Sequence, residues 1–163
     1  MSVTTVQAET SQCLFEFLHM EIVSQLQQEA GPDKKGEVQQ RLESLGHRVG
    51  ESLVERTSRD HPRFKNELDA VVFMCKQFWV TAFNKNIDNL KTNHQDTYVL
   101  HDNAFRLLQH LSEGNQYREE AQTYLSFACG LLTGALSNVG IKCQVTAEVT
   151  KMPACTFQVK VLL

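Results

Sequence analysis

Long hydrophobic runs are missing from this sequence, although hydrophobic residues make up 42% of its 163 residues. No stretch reaches the roughly 20 apolar residues that a membrane-spanning helix needs. Residues 1–12 also lack the basic and then apolar order of a targeting peptide. We therefore expect a protein that is soluble and intracellular, or held at a membrane by a partner.

An excess of charge of either sign is missing as well. The chain carries 16 lysines and arginines against 19 aspartates and glutamates, for a net charge of −3. A surface that binds nucleic acid or an anionic membrane needs concentrated positive charge. The composition predicts neither partner and leaves an ordinary globular domain as the simplest class.

Groups that carry out chemistry occur without the neighbours they need. The five cysteines are an odd number without a Cys-x-x-Cys, which predicts free thiols in a reducing compartment. Cys75 and Cys129 lie in apolar helical runs, where a structural role is expected; a thiol enzyme is the weaker alternative. No two histidines stand four residues apart, and the glycine motifs of phosphate-binding loops and nucleophile elbows are absent. We therefore expect no catalytic residue, no metal and no cofactor.

Apolar sequence with helical spacing is abundant instead, and the stretch Phe127–Gly140 is apolar or small on nearly every side. Gly130 and Gly134 lie four residues apart and so share one helical face. A glycine inside a helix costs roughly 1 kcal/mol relative to alanine, and a second backbone packed closely against that face would offset the cost. We predict a buried core helix here, with an apolar pocket along it as the alternative.

The periodicity predicts an α+β fold, with four main helices packed on a small antiparallel sheet of about four strands made of two hairpins. Residues 1–12 are expected to form a flexible N-terminal tail and residues 13–163 a single domain. The link over 103–114 is ambiguous between an irregular connection and one helical turn. The predicted helices span about Ser11–Glu29, Glu37–Ser58, Arg63–Asn84 and Asn115–Asn138, and the predicted strands Ile87–Thr92, Thr97–Asp102, Cys143–Thr150 and Cys155–Val161.

The first helix carries a wider apolar stripe than one packed face requires, and the second has an even stripe beside two glycines. We favour a protein interface for this surplus, with burial inside the chain as the alternative. The interface candidates are Leu14, Phe17, Leu18, Ile22, Leu26, Val38, Leu42, Leu45, Val49 and Leu53. The close-packing candidates are Gly46, Gly50, Gly130 and Gly134.

Several pieces together resemble the small-subunit family of the TRAPP vesicle-tethering complex, over about residues 13–163. The Asn-His-Gln of the first hairpin and the Met-Pro-Ala-Cys turn of the second are similar to the subunit-6 branch of that family. The pieces that carry the resemblance are Leu45–Gly50, Arg63–Lys65, Asn89–Gln95, Tyr98–Leu100, Cys129–Leu136, Thr146–Val149 and Met152–Cys155.

The resemblance implies a non-catalytic structural subunit with helices packed on a small antiparallel sheet. It implies a heterodimer with subunit 3 through the first two helices, in a complex that tethers vesicles in ER-to-Golgi transport and activates a Rab/Ypt-type GTPase by nucleotide exchange. Other TRAPP subunits are further implied partners, and a homodimer is possible for the isolated chain. The implied location is cytoplasmic and peripheral, at the cis-Golgi and the endoplasmic reticulum.

Two departures from the family pattern bear on function. Subunit 3 carries an acylated cysteine just before the phenylalanine that opens its third helix, whereas here residues 61–63 precede Phe64 and contain no cysteine. A covalent acyl chain is therefore not expected at that site. The family often has arginine in the glycine motif of the fourth helix, where this chain has Thr133. A lipid- or small-molecule-binding module, with an apolar channel between the third and fourth helices, is the alternative function.

Overall fold

The computed structural model describes residues 3–111 and 115–162. This part of the chain holds four helices and a four-stranded antiparallel sheet, which confirms the predicted fold class. The helices are α1 (Val3–Ala30), α2 (Lys35–Thr57), α3 (Glu67–Phe73, continued by a π-helical turn over Met74–Phe78 and an α-helical turn over Trp79–Phe83) and α4 (Asn115–Asn138). The strands are β1 (Asn89–Thr92), β2 (Thr97–Asp102), β3 (Cys143–Lys151) and β4 (Ala154–Val161).

Helix α1 begins earlier than predicted. The backbone is helical from Val3, so the predicted start at about Ser11 is wrong, while residues 1 and 2 lie outside the described part. The flexibility of the N-terminal segment stays a prediction. No glycine or proline occurs before Gly31 to break the helix, and the alanine and glutamines of this segment favour it. The apolar stripe starts only at Leu14, so periodicity alone could not reveal the first turns. The domain boundary at residue 13 stays a prediction.

The start of α3 is fixed by a side-chain cap. The Asn66 Oδ1 atom accepts the backbone N–H of Asp69 at 2.8 Å, so the helix begins at Glu67 and not at the predicted Arg63. Further along, the π-helical turn leaves the carbonyl of Cys75 free to accept the backbone N–H of Ile87 at 3.0 Å. That bond ties the turn to the segment leading into β1.

The two predicted hairpins join into one sheet in the order β1-β2-β4-β3, with every pair antiparallel. The inner strands β2 and β4 pair along their length, from Thr97 opposite Lys160 to Asp102 opposite Cys155. The ambiguous link after β2 contains a 3₁₀ turn over Arg106–Leu108. The link lies beside α1, and two of its side chains, those of Arg106 and His110, contact Glu16 of that helix, as described below.

An aromatic cluster fills the space between α3 and the sheet. Trp79 packs against Phe83, Phe105 and Phe157 with ring centroids 4.5, 5.9 and 5.2 Å away. All four side chains are completely buried. The Trp79 indole N–H donates to the buried Asp102 carboxylate at 2.9 Å, which satisfies the polar atom that comes with so large an apolar ring.

Helices α2 and α4 pack backbone against backbone through two pairs of glycines. A Cβ atom added to Gly46 would lie 2.1 Å from the Phe127 carbonyl oxygen, and one added to Gly130 would lie 2.0 Å from the Glu43 carbonyl oxygen. Gly50 and Gly134 are equally close to the opposite helix, with a 2.1 Å approach each. No side chain fits at these positions, so the glycines set the distance between the two helices.

Candidate protein interface

The outer side of α1 carries large apolar side chains that remain more than half exposed in the described chain. Leu14 is 70% exposed, and Phe17 and Leu18 are 55% and 56% exposed. Ile22 and Leu26 follow at spacings of four and are half-buried. Scattered exposed leucines are ordinary on protein surfaces, but several on one helix form a patch that suits a partner.

Helix α2 continues this apolar surface. Val49 is 40% exposed, and Leu45 and Leu53 are half-buried on either side of it. A groove of about 600 Å³ runs past these three side chains and is bordered by Arg48 and Arg56. We call the exposed and half-buried interface candidates of both helices the apolar face; it consists of Leu14, Phe17, Leu18, Ile22 and Leu26 of α1 and Leu45, Val49 and Leu53 of α2.

Two of the predicted interface residues do not belong to this surface. Val38 is 1% exposed and Leu42 is completely buried, so both lie in the core of the chain and cannot contact a partner. The error has a physical reason, because α2 has apolar residues on two sides. One side meets α4 at the glycines, and the periodicity of a single sequence did not show which residues that contact covers.

A second groove, of about 400 Å³, lies where α1, α2 and the end of α3 meet. Its lining includes Phe15, Val49, Leu53 and Val80, of which Val80 is 39% exposed. Sequence reasoning missed Val80 because all of helix three was interpreted as heavily buried. Its spacing of four and three residues from Lys76 and Gln77, which are exposed, was the available signal, since residues at those spacings share one helical face.

The inner side of α1 is unexpectedly polar. Glu16 is 3% exposed, and its Oε2 atom lies 2.6 Å from His110 Nε2 while its Oε1 atom lies 3.8 Å from Arg106 Nε. One turn further, His19 is 3% exposed and packs edge-on against Tyr124 and Phe127. Burial lowers the pKa of His19 to about 4, so the ring is neutral at pH 7. Sequence reasoning missed both residues because their neighbours in space are distant in sequence.

The surroundings of the four buried cysteines do not activate their thiols. Burial raises the pKa of Cys75 and Cys129 to about 12 and that of Cys143 to about 11, and it also raises the pKa of Cys155. A thiol that stays protonated at pH 7 is a poor nucleophile. Cys13, on α1, is exposed. Within residues 3–111 and 115–162, no group of three or more histidine, cysteine, aspartate or glutamate side chains is arranged to hold a metal ion.

The region ahead of α3 holds stacked rings where the family's acylated residue would lie. The His61 ring stacks on Phe64 at a centroid distance of 4.8 Å, and both rings pack against Phe73. The groove of about 400 Å³ is lined by Val80 of α3 and Phe127 of α4, and also by Val49 and Leu53 of the apolar face. A binding channel between these helices stays a prediction. Among the described helices, none has the length and apolar character to cross a membrane.

The chain matches the family model for the transport protein particle (TRAPP) component over residues 15–162. It is 54% identical over 151 residues to trafficking protein particle complex subunit 6b of Danio rerio, covering 92% of this chain and 96% of that protein. It is 49% identical over 149 residues to subunit 6A of Homo sapiens, covering 90% and 94%.

The fold has a solved counterpart. A crystal structure of trafficking protein particle complex subunit 3 from Naegleria fowleri, covalently bound to palmitic acid, superposes with a TM-score of 0.80 at 16% identity, covering 95% of this chain and 97% of that one. At that identity the likeness concerns the fold. The family model and the sequence identities go further: the chain belongs to the TRAPP component family and, within it, to the subunit-6 branch.

Proposed function

We propose that this chain is a non-catalytic assembly subunit of a TRAPP vesicle-tethering complex and binds subunit 3 through α1 and α2. The observation that carries the proposal is the apolar face, where Leu14 and Leu18 of α1 stand exposed beside Val49 of α2. Membership of the TRAPP component family supplies the assembly in which such a surface would be covered.

The likeness of fold to a subunit 3 supports a paired arrangement of the two chains. Two chains of the same fold can pack through equivalent surfaces around an approximate two-fold axis, as in most dimers. The α1 and α2 helices of each chain would then cover those of the other. The same geometry allows a second copy of this chain to occupy the face when subunit 3 is absent.

The remaining roles follow from the complex and not from a site on this chain. The heterodimer would support the assembly of an exchange factor for a Rab/Ypt-type GTPase in ER-to-Golgi transport. The chain would reach the cis-Golgi and endoplasmic reticulum membranes peripherally, through the complex. The raised pKa values of its buried thiols accord with a subunit that has no catalytic role.

The test is binding of the purified chain to purified subunit 3, measured by calorimetry and by light scattering after size exclusion. The wild-type chain should form a stoichiometric pair. Leu18→Asp should weaken binding at least thirtyfold, which corresponds to roughly 2 kcal/mol, because it places an unpaired carboxylate in an apolar contact. A wild-type chain that ignores subunit 3 would refute the proposal.

Leu68→Asp is the matched control. Leu68 is 45% exposed, close to the exposure of Leu18, but it lies at the start of α3, twelve residues before Val80. Leu68 belongs to neither helix of the apolar face and does not line either of the two grooves described above, so the substitution leaves the face intact. Leu68→Asp should therefore bind subunit 3 like the wild type; equal losses in both variants would show that the face has been placed wrongly.

A further inference from the structure

Glu16 places a carboxylate on the buried, core-facing side of α1, where apolar side chains are expected. The core-facing positions of α1 include Glu16, His19 and Val23, which are 3%, 3% and 0% exposed. A buried carboxylate loses its hydration, and a buried ion pair is therefore weak evidence for stability. A better-attested use of such a pair is to fix register or orientation.

The partners of Glu16 come from a part of the chain that is itself fixed. His110 and Arg106 lie in the link after β2, where Phe105 N–H donates to the Pro153 carbonyl at 3.1 Å. The Arg106 Nε–H also donates to the Phe83 carbonyl, at 3.4 Å. The acceptors belong to the turn between β3 and β4 and to the end of α3, so the link is tied to two core elements.

The same histidine touches the outer surface of α1. The His110 ring stacks on Phe17, with centroids 4.8 Å apart and planes inclined by 26°. Phe17 is 55% exposed and was a candidate interface residue. One side chain thus contacts both the buried Glu16 and an exposed neighbour on the same helix.

Because α1 is a regular helix, the inward position of Glu16 determines the direction in which the apolar face points. Successive residues are separated by about 100° around a helix. Leu14 and Leu18 each lie two residues from Glu16 and therefore point to nearly the opposite side. Apolar packing is non-directional, whereas a hydrogen bond has a preferred direction. A carboxylate held inward at position 16 consequently fixes the two leucines outward.

We propose that Glu16, together with His110 and Arg106, is a positioning group that sets the rotation of α1 and thereby presents the apolar face to its partner. This inference rests on the proposed function, because it concerns how the binding surface is arranged. Among the described residues, Glu16 Oε1 has no hydrogen-bond partner and lies within reach only of the Arg106 charge. The orientation therefore depends chiefly on the bond to His110.

The test compares folding with binding in two variants. Glu16→Leu replaces the buried carboxylate by an apolar side chain of similar size. It leaves behind the side chains of Arg106 and His110, which are 30% and 34% exposed and can be hydrated, so no buried charge is left unpaired. His110→Phe keeps a ring against Phe17 and removes the donor to Glu16. Glu16→Leu should unfold at a urea concentration near or above that of the wild type, whereas His110→Phe should unfold at a lower one, because it leaves the buried carboxylate without its donor. Both variants should bind subunit 3 about tenfold more weakly. Amide exchange in α1 should rise in both while α4 stays protected.

Glu16 and His110 should also act as one unit in their effect on binding. The double variant should bind no more weakly than Glu16→Leu alone, because each single change already removes the shared bond. His110→Gln retains a donor and should restore affinity to within about threefold of the wild type. Affinities within twofold of the wild type, losses that multiply in the double variant, or a fall in the urea resistance of Glu16→Leu would overturn the proposal. A wild-type chain without affinity for subunit 3 would instead refute the proposed function.

Discussion

The contact between α2 and α4 differs in kind from the contact between α1 and the rest of the chain. The first contact is dry and backbone to backbone, and its four glycines leave no room for a methyl group. The second places Glu16 and His19 against the body of the protein and leaves Leu14 and Leu18 in solvent. Leucines thus lie deep in the core in one region and form a free surface in the other.

The apolar residues of α1 and α2 differ in burial because the two helices have different neighbours. Leu42 and Leu18 occupy similar apolar stripes in the sequence, but Leu42 is 0% exposed and Leu18 is 56% exposed. The glycines bring α4 onto α2 and complete the burial of Leu42. No comparable neighbour covers the outer side of α1 within the described residues. Packing partners, and not the stripe itself, therefore decide whether a leucine serves folding or binding.

The largest expected effect comes from placing the same charge in each region. Leu42→Asp should cost more than about 4 kcal/mol of unfolding free energy, because it leaves a cavity and an unpaired carboxylate in the core. Leu18→Asp should change the unfolding free energy by less than about 0.5 kcal/mol, since the site is open to solvent. Urea unfolding followed by circular dichroism measures both. Similar losses in the two variants would remove the distinction between the regions.

The contact between α2 and α4 can be tested by adding one methyl group. Gly46→Ala should cost roughly 3 kcal/mol, because its Cβ would lie 2.1 Å from the Phe127 oxygen and two backbones must separate. Gly36→Ala is the control on the same helix, where a Cβ meets nothing within 4 Å. That change should raise stability by up to about 1 kcal/mol through helix propensity. If Gly46→Ala were harmless, the close approach would not be needed for stability.

The fold was largely predictable because its elements carry local signals. Alternation marked the β3–β4 hairpin, and Gly31 marked the end of α1. The start of α1 was missed because polar helix-forming residues have no apolar period, and the start of α3 because a cap at Asn66 competed with the apolar pattern. The pairing of β2 with β4 was beyond local reasoning, since it joins strands that are more than fifty residues apart.

The candidate interface was predictable only as a set of apolar positions. The sequence correctly suggested a surplus of apolar residues on α1, and Leu14 and Leu18 are exposed. It could not separate Leu42 from Val49, because that division depends on where α4 packs. Glu16 and His110 are 94 residues apart, so their contact is a property of the tertiary structure alone. Whether the surface binds subunit 3 stays a prediction.

Lowering the pH should reduce the stability of the fold by an intermediate amount, through a histidine on the inner side of α1. His19 has a pKa of about 4 in the folded chain and an ordinary value of 6.5 when unfolded. Between those values the unfolded chain binds the proton and the folded chain does not, so stability falls as the pH decreases from 6.5 to 4. The contribution is on the order of 1 kcal/mol per pH unit in that window.

The variant His19→Leu isolates this contribution from that of the carboxylates. It removes the titrating ring and also the two ring nitrogens, which have no hydrogen-bond partner among the described residues. The wild type should lose stability relative to His19→Leu as the pH is lowered from 6.5 to 4, and the difference should be constant above pH 7. Urea unfolding at a series of pH values measures it. Parallel pH profiles would show that His19 is not buried in the neutral form.

The smallest effect on stability should come from Cys13, which lies on the exposed side of α1. Cys13→Ser should change the unfolding free energy by less than about 0.5 kcal/mol, as expected for a surface position.

Chemical reactivity shows the contrast with the core more sharply. Cys13 is exposed, whereas burial raises the pKa of Cys129, in α4, to about 12 and leaves little thiolate at pH 7. Alkylation of the native chain followed by mass spectrometry should therefore label Cys13 first, and Cys129 only as the core opens. Rapid labelling of Cys129 in the native chain would mean that α2 and α4 separate readily, and the two regions would then differ less in rigidity than their packing indicates.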